Sequence, residues 1–259
     1  MKKSPERLAF MSKQLTDLDM DFTVQEGIDG MTHNFNDIYD EQLSKRLNDS
    51  PLVPVEKGCA LSHRLILEKI VEEKLDYALI LEDDVGLPPD FKKILDHELE
   101  KRTRNETTWE YLSFNYPSVG LKFIKLWLFL LSEKFSKNKS PWLYLKIPLY
   151  AIKFVVIVSM SLFEGARDNF YKKYKRGKPA LFYRPMYLAG CYLVTQEGAQ
   201  KLLSVNTKLV YPADRIQNIA RMQKKLKIFW YVPLIVKQKR NVFKSTMYDN
   251  KNYVFEKYD

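Results

Sequence analysis

The sequence predicts an α/β protein with a mostly parallel central sheet. Segments with helix-like apolar spacing alternate with short, continuous apolar runs, which are typical of strands covered on both faces. One such run, YALIL at 77–81, ends abruptly in three consecutive acidic residues. The chain has 259 residues, 46% of them hydrophobic, which is enough for one large core, so we predict a single domain over 1–259.

The elements follow in order along the chain. Helices are predicted, mostly from apolar residues at three- and four-residue spacing, at 6–18, 37–47, 58–75, 91–101, 196–203 and 215–225. Strands are predicted at 22–24, 77–81, 109–114, 190–195 and 228–232. Thr195 is the expected N-cap of the helix that follows it. Pro51 and Pro54 are expected to break the chain before Gly58, and the tail from Lys237 is expected to be irregular.

A strongly basic insertion interrupts this pattern at about 121–178. It carries 13 Lys+Arg and 3 Asp+Glu, so its net charge of +10 equals that of the whole chain. Lysines flank helix-like apolar clusters at 123–131 and 147–163, a pattern typical of helices that lie on anionic membranes. The longest uncharged run, at 154–163, is about half as long as a spanning helix requires. We therefore expect a helical insertion that docks on an anionic membrane; a helical subdomain with solvated lysines is the alternative.

Several function classes find little support. Cys59 and Cys191 are too few for a disulfide framework or a structural zinc site, and we predict both to be reduced and buried in a cytoplasmic protein. P-loop, G-x-G-x-x-G and nucleophile-elbow motifs are absent from the sequence.

The net charge of the basic insertion suggests nucleic-acid binding as an alternative function. Its lysines interleave with aliphatic runs rather than with a known reading motif, so we expect no nucleic-acid partner.

The acidic triplet Glu82, Asp83 and Asp84 is the main candidate for chemistry. Ligands of open α/β sheets bind beyond the carboxyl ends of strands, and adjacent carboxylates repel one another unless a positive charge lies among them. A hard divalent cation, Mg²⁺ or Mn²⁺, supplies such a charge. In an extended segment Glu82 and Asp84 would share one side. The alternative is an acidic loop that is solvated and binds no ligand. A glycosidase would use two carboxylates on either side of the bond that is cleaved, but the sequence does not single out such a pair.

Asp214 and His63 are further candidates, each with a plainer alternative. Asp214 precedes a predicted helix, so its carboxylate either caps that helix or faces a cleft. His63 follows Ser62 and lies on the apolar stripe of its helix. It is either a packed structural histidine or the partner of a phosphate or carboxylate.

Taken together, these segments resemble glycosyltransferase family 25, the lipooligosaccharide galactosyltransferase family. The resemblance rests mainly on G-C-A-L-S-H-R at 58–64, followed by L-E-D-D at 81–84. It extends to P-E-R at 5–7, a G-I-D-G turn at 27–30, the stretch 190–203 and P-A-D at 212–214. These segments cover most of the chain outside the basic insertion.

The resemblance implies a GT-A fold. It also implies the transfer of a hexose, expected to be galactose, from a UDP-sugar to a lipooligosaccharide or lipopolysaccharide, with inversion at the anomeric carbon. Mn²⁺ or Mg²⁺ would be bound by Asp84 and Glu82, and Asp214 would be the catalytic base. The expected partners are a UDP-hexose, a lipid-linked oligosaccharide and an anionic membrane, with the enzyme in the bacterial cytoplasm, peripheral on the inner face of the inner membrane. The implied donor-binding residues are Arg7, Asp29, His63, Glu82 and Asp83.

The chain departs from the family at two places. Family members usually begin with a short apolar strand before the Arg-containing helix, whereas Met1 here lies directly before that helix. We expect the true start to lie upstream. The basic insertion is the other departure. A catalytically silent homologue that binds a membrane surface through the insertion is therefore the alternative function.

Overall fold

The computed structural model describes residues 4–48, 50–115, 188–239 and 242–243, together with the backbone of 178–181. Contacts divide the chain into Met1–Pro117 with Gly177–Asn250, and Ser118–Arg176 with Lys251–Asp259. The second unit lies outside the described residues, and nearly all of the predicted basic insertion lies there with it. The helical character of the insertion, its membrane docking and the single-domain organisation stay predictions.

The described residues form six helices and seven strands. The helices are α1 (Pro5–Asp17), α2 (Glu41–Asn48), α3 (Pro54–Glu72), α4 (Phe91–Thr103), α5 (Gln196–Val205) and α6 (Ile216–Met222). The strands are β1 (Tyr77–Leu81), β2 (Val85–Gly86), β3 (Tyr111–Ser113), β4 (Lys178–Leu181), β5 (Cys191–Thr195), β6 (Ile228–Val232) and β7 (Lys237–Gln238). The predicted α/β class is therefore confirmed.

The central sheet is mixed rather than mostly parallel. Its strand order is β1-β5-β3-β6-β4, and β2 pairs with β7 in a separate two-stranded sheet. In the central sheet only the β3–β6 pairing is parallel among the described strands, and the other three pairings are antiparallel. The prediction of a mostly parallel sheet was wrong. A continuous apolar run indicates that a strand is buried on both faces, but it carries no information about strand direction.

Helices cover both faces of this sheet. Alternate residues of β5 point to opposite faces, so Cys191 and Leu193 pack with α1 and α4, while Tyr192 contacts α3. The first face contributes a core that includes Phe91, Trp109 and Leu112, all fully buried. Strand β5 is therefore buried on both faces, and the edge beyond the carboxyl ends of β1 and β3 is left for polar side chains.

Helix α3 begins four residues earlier than the sequence predicts. Pro54 starts the helix instead of breaking the chain, because a first-turn residue needs no backbone N–H donor. The Glu56 carboxylate accepts a hydrogen bond from the Val53 backbone N–H at 3.0 Å, which satisfies a free donor at the helix start.

Two glycines bring the 27–30 turn against the first turns of α3. A Cβ at Gly30 would overlap the carbonyl oxygen of Pro54, and a Cβ at Gly58 would overlap the carbonyl oxygen of Ile28. The Ile28 backbone N–H also donates to Ser62 Oγ at 2.8 Å. The glycines of the two family motifs are therefore needed for close backbone approach, which fixes the turn beside His63.

Other predicted elements differ in detail. Residues 22–24 are irregular rather than a strand, since no described strand pairs with them, and Phe22 and Val24 are exposed. Helix α2 begins four residues later than predicted, where Asp40 Oδ1 accepts from the Leu43 N–H at 2.8 Å.

The sequence did not predict β2, β4 and β7, of which β2 and β7 have only two residues each and show no periodicity. Thr195 caps α5 as predicted, accepting from the Gly198 N–H at 3.0 Å.

In the part of the chain that the structure describes, no helix is both long enough and apolar enough to cross a bilayer.

Candidate active site

The acidic triplet lies where β1 ends and β5 begins. The Glu82 backbone N–H donates to the Gly190 carbonyl at 2.8 Å, so the chain stays bonded to the sheet for one residue past β1. A Cβ at Gly190 would press on Val85 and Asn115, which crowd this corner. The corner therefore fixes the direction in which the three acidic side chains leave the sheet.

Arg7 of α1 joins two of these carboxylates. Its Nη2 atom lies 2.8 Å from Asp83 Oδ1 and 2.8 Å from Asp84 Oδ2. Asp83 and Asp84 therefore lie side by side, whereas strict alternation would have placed Asp84 with Glu82. The backbone forms a turn at these two residues, which removes the alternation of an extended strand. Arg7 is buried, so its charge is poorly screened by water.

Glu82 faces a different group of residues. Its Oε1 atom lies 3.4 Å from His63 Nε2, and its Oε2 atom accepts from Gln238 Nε2 at 3.3 Å. The other ring nitrogen of His63, Nδ1, is hydrogen-bonded to the Tyr192 hydroxyl at 2.9 Å. The Tyr192 ring in turn stacks on Tyr111 with centroids 4.6 Å apart. His63 is therefore held at both nitrogens, beyond what a merely packed histidine requires.

The charges of this group depend on one another. Burial disfavours a charged His63, but Tyr192, Cys59 and Glu82 outweigh it and raise the pKa of the imidazole well above its usual range. Burial of Glu82 acts against its charged form, yet the hydrogen bond and charge of His63 bring the pKa of this carboxyl below its usual value. Both shifts favour an imidazolium–carboxylate pair.

Asp214 is the fourth carboxylate of the region. The capping interpretation was wrong, because α6 begins at Ile216 with Arg215 in the cap position and without a side-chain cap bond. The Asp214 carbonyl instead accepts from the side-chain amides of Gln217 and Asn218. Burial, and next the charge of Glu82, raise the pKa of Asp214 to about 7. This carboxyl therefore exchanges a proton near neutral pH, as a general base must.

Asp29 lies in the 27–30 turn, which packs against the first turns of α3. Its Oδ1 atom accepts from the Met31 N–H at 3.0 Å, and its carbonyl accepts from the Thr32 and His33 N–H groups. The carboxylate thus shapes the 27–30 turn, which the glycines hold against the helix that carries His63.

Four residues of the site were not predicted from the sequence to be site residues, although Gln14 and Tyr192 lie within segments that resemble the family. Gln14 accepts from the Leu87 N–H at 2.9 Å and donates to the Val85 carbonyl at 3.0 Å, bracketing β2. On the opposite side β2 pairs with β7, which brings Gln238 to Glu82. The Phe243 ring lies over the Arg7 guanidinium at 5.9 Å, and Tyr192 contacts His63. These contacts join residues far apart in the chain, so spacing alone could not reveal them.

The donor set fits a hard divalent cation. The Arg7 nitrogen between Asp83 and Asp84 shows that two carboxylates converge on a single cationic atom. Glu82 adds carboxylate oxygens nearby, and oxygen donors of this kind suit Mg²⁺ or Mn²⁺. Both cysteines are free. Cys191 is buried as predicted, whereas Cys59 is partly exposed, and its thiol lies near His63 and Glu82.

The family description "Glycosyltransferase family 25 (LPS biosynthesis protein)" matches residues 1–217. The chain belongs to glycosyltransferase family 25. The family resemblance drawn from G-C-A-L-S-H-R and L-E-D-D is thereby confirmed. Those two motifs carry His63 and Glu82, which the structure brings within 3.4 Å of each other.

Characterised relatives match about half of this family 25 chain. Procollagen galactosyltransferase 2 of Homo sapiens is 25% identical over 132 residues, which are 47% of this chain and 20% of that protein. Probable inactive glycosyltransferase 25 family member 3 of Rattus norvegicus is 27% identical over 130 residues, 46% of this chain and 22% of that protein. The matched region thus spans about a fifth of the length of these relatives.

Proposed function

We propose that this family 25 chain transfers galactose from UDP-galactose to a saccharide acceptor, using a divalent cation and inverting the anomeric carbon. The observation that carries the proposal is the acidic edge, where Arg7 and His63 contact the acidic triplet at the carboxyl end of β1 and the charge of Glu82 raises the pKa of Asp214. The galactosyltransferase relative supports galactose as the donor sugar. The mixed α/β sheet covered on both faces is compatible with a GT-A fold.

In this proposal the donor diphosphate lies beside the acidic triplet, and Arg7, Asp29, His63, Glu82 and Asp83 form the donor pocket. Asp84 and Glu82 would bind Mn²⁺ or Mg²⁺, which neutralises charge on the leaving diphosphate. Arg7 keeps Asp83 and Asp84 adjacent before the donor arrives. His63, held by Tyr192, orients the Glu82 carboxylate.

Asp214 acts as the base in the transfer step. The acceptor oxygen forms a bond to the anomeric carbon while the bond from that carbon to the diphosphate breaks, and UDP leaves with the bonding electrons. The acceptor proton moves to the Asp214 carboxylate. A pKa of about 7 allows Asp214 to be ionised before the reaction and still take up the proton.

The acceptor in this proposal is a lipooligosaccharide or lipopolysaccharide saccharide on a lipid anchor, consistent with the family description. The basic insertion at about 121–178 would hold the enzyme at the anionic inner face of a bacterial inner membrane. Deletion of the insertion should then reduce binding to anionic liposomes, and unchanged binding would contradict membrane docking.

The deciding experiment measures UDP release from a panel of UDP-sugars, with and without Mn²⁺, in the presence of a lipooligosaccharide acceptor extract. We expect metal-dependent turnover of UDP-galactose by the wild-type chain and its loss in Asp84→Ala. Turnover of a different UDP-sugar would keep the enzyme class and change the donor. Turnover that survives Asp84→Ala would contradict the proposed metal ligand.

A catalytically silent homologue is the second candidate, favoured by the relative named as probably inactive. In that case Arg7 permanently takes the cation position between Asp83 and Asp84, and the chain functions as a membrane-surface binding protein. A folded wild-type chain that neither binds nor turns over any UDP-sugar with Mn²⁺ would place this candidate first.

A further inference from the structure

Three metal-ligating side chains of different chemistry converge beside the acidic edge. Cys59 and His63 are four residues apart on α3 and therefore lie on one face of the helix. Glu82, at the end of β1, lies opposite them. The Cys59 Sγ, a His63 ring nitrogen and a Glu82 oxygen all lie within 4.8 Å of one another.

The spacing of two of these ligands suits a tetrahedral metal. His63 Nε2 and Glu82 Oε1 are 3.4 Å apart, which makes their hydrogen bond longer than the roughly 2.7–2.9 Å of a strong charge-assisted one. Two ligands bound to tetrahedral zinc at about 2.0–2.1 Å lie about 3.3 Å from each other. The pair is thus already spaced as two neighbouring ligands of one zinc ion.

The outer atoms of both ligands are held by further side chains. Tyr192 bonds to His63 Nδ1 at 2.9 Å, which leaves Nε2 directed at Glu82. Gln238 donates to Glu82 Oε2 at 3.3 Å, which leaves Oε1 directed at His63. Partners of this kind fix ligand orientation in metal sites and raise metal affinity.

We propose that Cys59, His63 and Glu82 form a zinc site with three protein ligands and one open position. A thiolate and an imidazole favour zinc, whereas the oxygen donors of Asp83 and Asp84 favour Mg²⁺ or Mn²⁺. Binding releases two protons to solvent: one leaves the Cys59 thiol, which becomes a thiolate, and one leaves Nε2 of the His63 imidazolium, which becomes a neutral ligand. The chain therefore presents two donor sets of different metal preference that share Glu82.

Sharing Glu82 has a consequence for activity, which rests on the proposed function. Zinc on Cys59, His63 and Glu82 withdraws Glu82 from the donor pocket. Zinc is therefore an inhibitor that Mn²⁺ and UDP-sugar oppose, and a Cys59 variant should show a weaker zinc inhibition relative to its own zinc-free rate.

Cobalt(II) binding tests the site without any sugar. The full-length chain, stripped of metal with a chelator, is titrated with Co²⁺, which gives a thiolate-to-cobalt charge-transfer band when a cysteine is a ligand. We expect this band in wild type and in the matched control Cys191→Ala, whose thiol is buried in β5. We expect its loss in Cys59→Ser, with zinc affinity at least about tenfold weaker by competition.

A wild-type chain without the charge-transfer band, or a Cys59→Ser chain with unchanged zinc affinity, would overturn the site. Glu82→Gln offers the same comparison if Cys59→Ser does not fold, and circular dichroism monitors folding. The two proposals fail separately. Zinc binding without sugar turnover would refute the transferase and keep the site, whereas turnover without zinc binding would do the reverse.

Discussion

The two ends of the central sheet both carry ionised side chains, but they arrange them differently. At one end Glu110, just before β3, has both oxygens occupied: Lys201 Nζ donates to Oε1 at 2.8 Å and the Lys227 backbone N–H to Oε2 at 3.0 Å. At the other end three carboxylates share Arg7 and His63, and Asp214 lies close enough for the charge of Glu82 to raise its pKa. The first end is neutralised within the fold, whereas the second retains an excess of negative charge.

This difference distinguishes an ion pair that stabilises the fold, at Glu110, from a candidate binding site for ligands, at the acidic edge. A buried carboxylate with saturated oxygens has little left to offer a ligand, and its partners are there to offset its desolvation. At the acidic edge the excess charge is visible in Asp214, whose pKa is raised to about 7 by burial and by Glu82. At the Glu110 end the effect is opposite: Lys201 also pairs with Glu197 at 2.6 Å, and its hydrogen bond and charge lower the pKa of that exposed carboxyl.

The largest expected effect is on turnover. Replacing Asp84 by Asn should lower UDP release by about 10²–10³-fold, because charge stabilisation at the leaving diphosphate is lost. The matched control Glu110→Gln makes the same carboxylate-to-amide replacement at the other end of the sheet. It should leave turnover unchanged, apart from any loss of folded protein. Equal losses in both variants would mean that the two ends do not differ in function.

The next effect is on stability and its response to metal. Arg7→Met leaves Asp83 and Asp84 facing each other without their cation. We expect a loss of about 2–3 kcal/mol in unfolding free energy, less than for a fully buried pair because the Asp83 side chain remains 31% exposed. Mn²⁺ should restore part of it, as measured by urea unfolding with and without the metal.

Lys201→Met is the control for this response. It breaks the ion pairs of Lys201 with Glu110 and Glu197 and should also lower stability. Mn²⁺ should not restore it, since Glu110 keeps a backbone partner and the Glu197 side chain is 65% exposed to water, which makes the two carboxylates a poor cation site. Rescue of Lys201→Met as large as that of Arg7→Met would show that the metal response is nonspecific.

A third prediction concerns pH. The folded chain holds a proton on Asp214 between the ordinary value of 3.8 and about 7, a range in which the unfolded chain has released it. Raising the pH through this window therefore lowers the stability that Asp214 contributes. Asp214→Asn should remove that decline, measured as unfolding free energy at several pH values without metal. A parallel pH dependence in both chains would contradict the raised pKa.

The smallest effect belongs to the other end of the sheet. Thr195→Ala removes the cap that accepts from the Gly198 N–H and should cost about 1 kcal/mol. Turnover per folded molecule should not change, because α5 starts at the end of β5 opposite the acidic edge. A change in KM for the UDP-sugar would show that the two ends are coupled.

Helix bounds and a helix cap were predictable from the sequence where the residues of a single element determined them. Apolar spacing located α1, α4 and α5 to within two residues, and the residue type and position of Thr195 identified its cap. The strand at 22–24 was wrong because a strand needs a partner, and none of the described strands pairs with it. The direction of β5 escaped prediction for a related reason, since apolar content does not encode pairing.

The sequence by itself determined the α/β class, the acidic end of β1 and the family motifs, because these depend on residues adjacent in the chain. Only the tertiary structure decided which side chains meet. Arg7 and Gln238 come to the acidic triplet from α1 and β7, and Tyr192 comes to His63 from β5. Their hydrogen bonds and charges act between residues that are close in space but far apart in the sequence. The same packing brings Cys59 to His63 and Glu82, and it raises the pKa of Asp214, because burial and neighbouring charge exist only once the chain has folded.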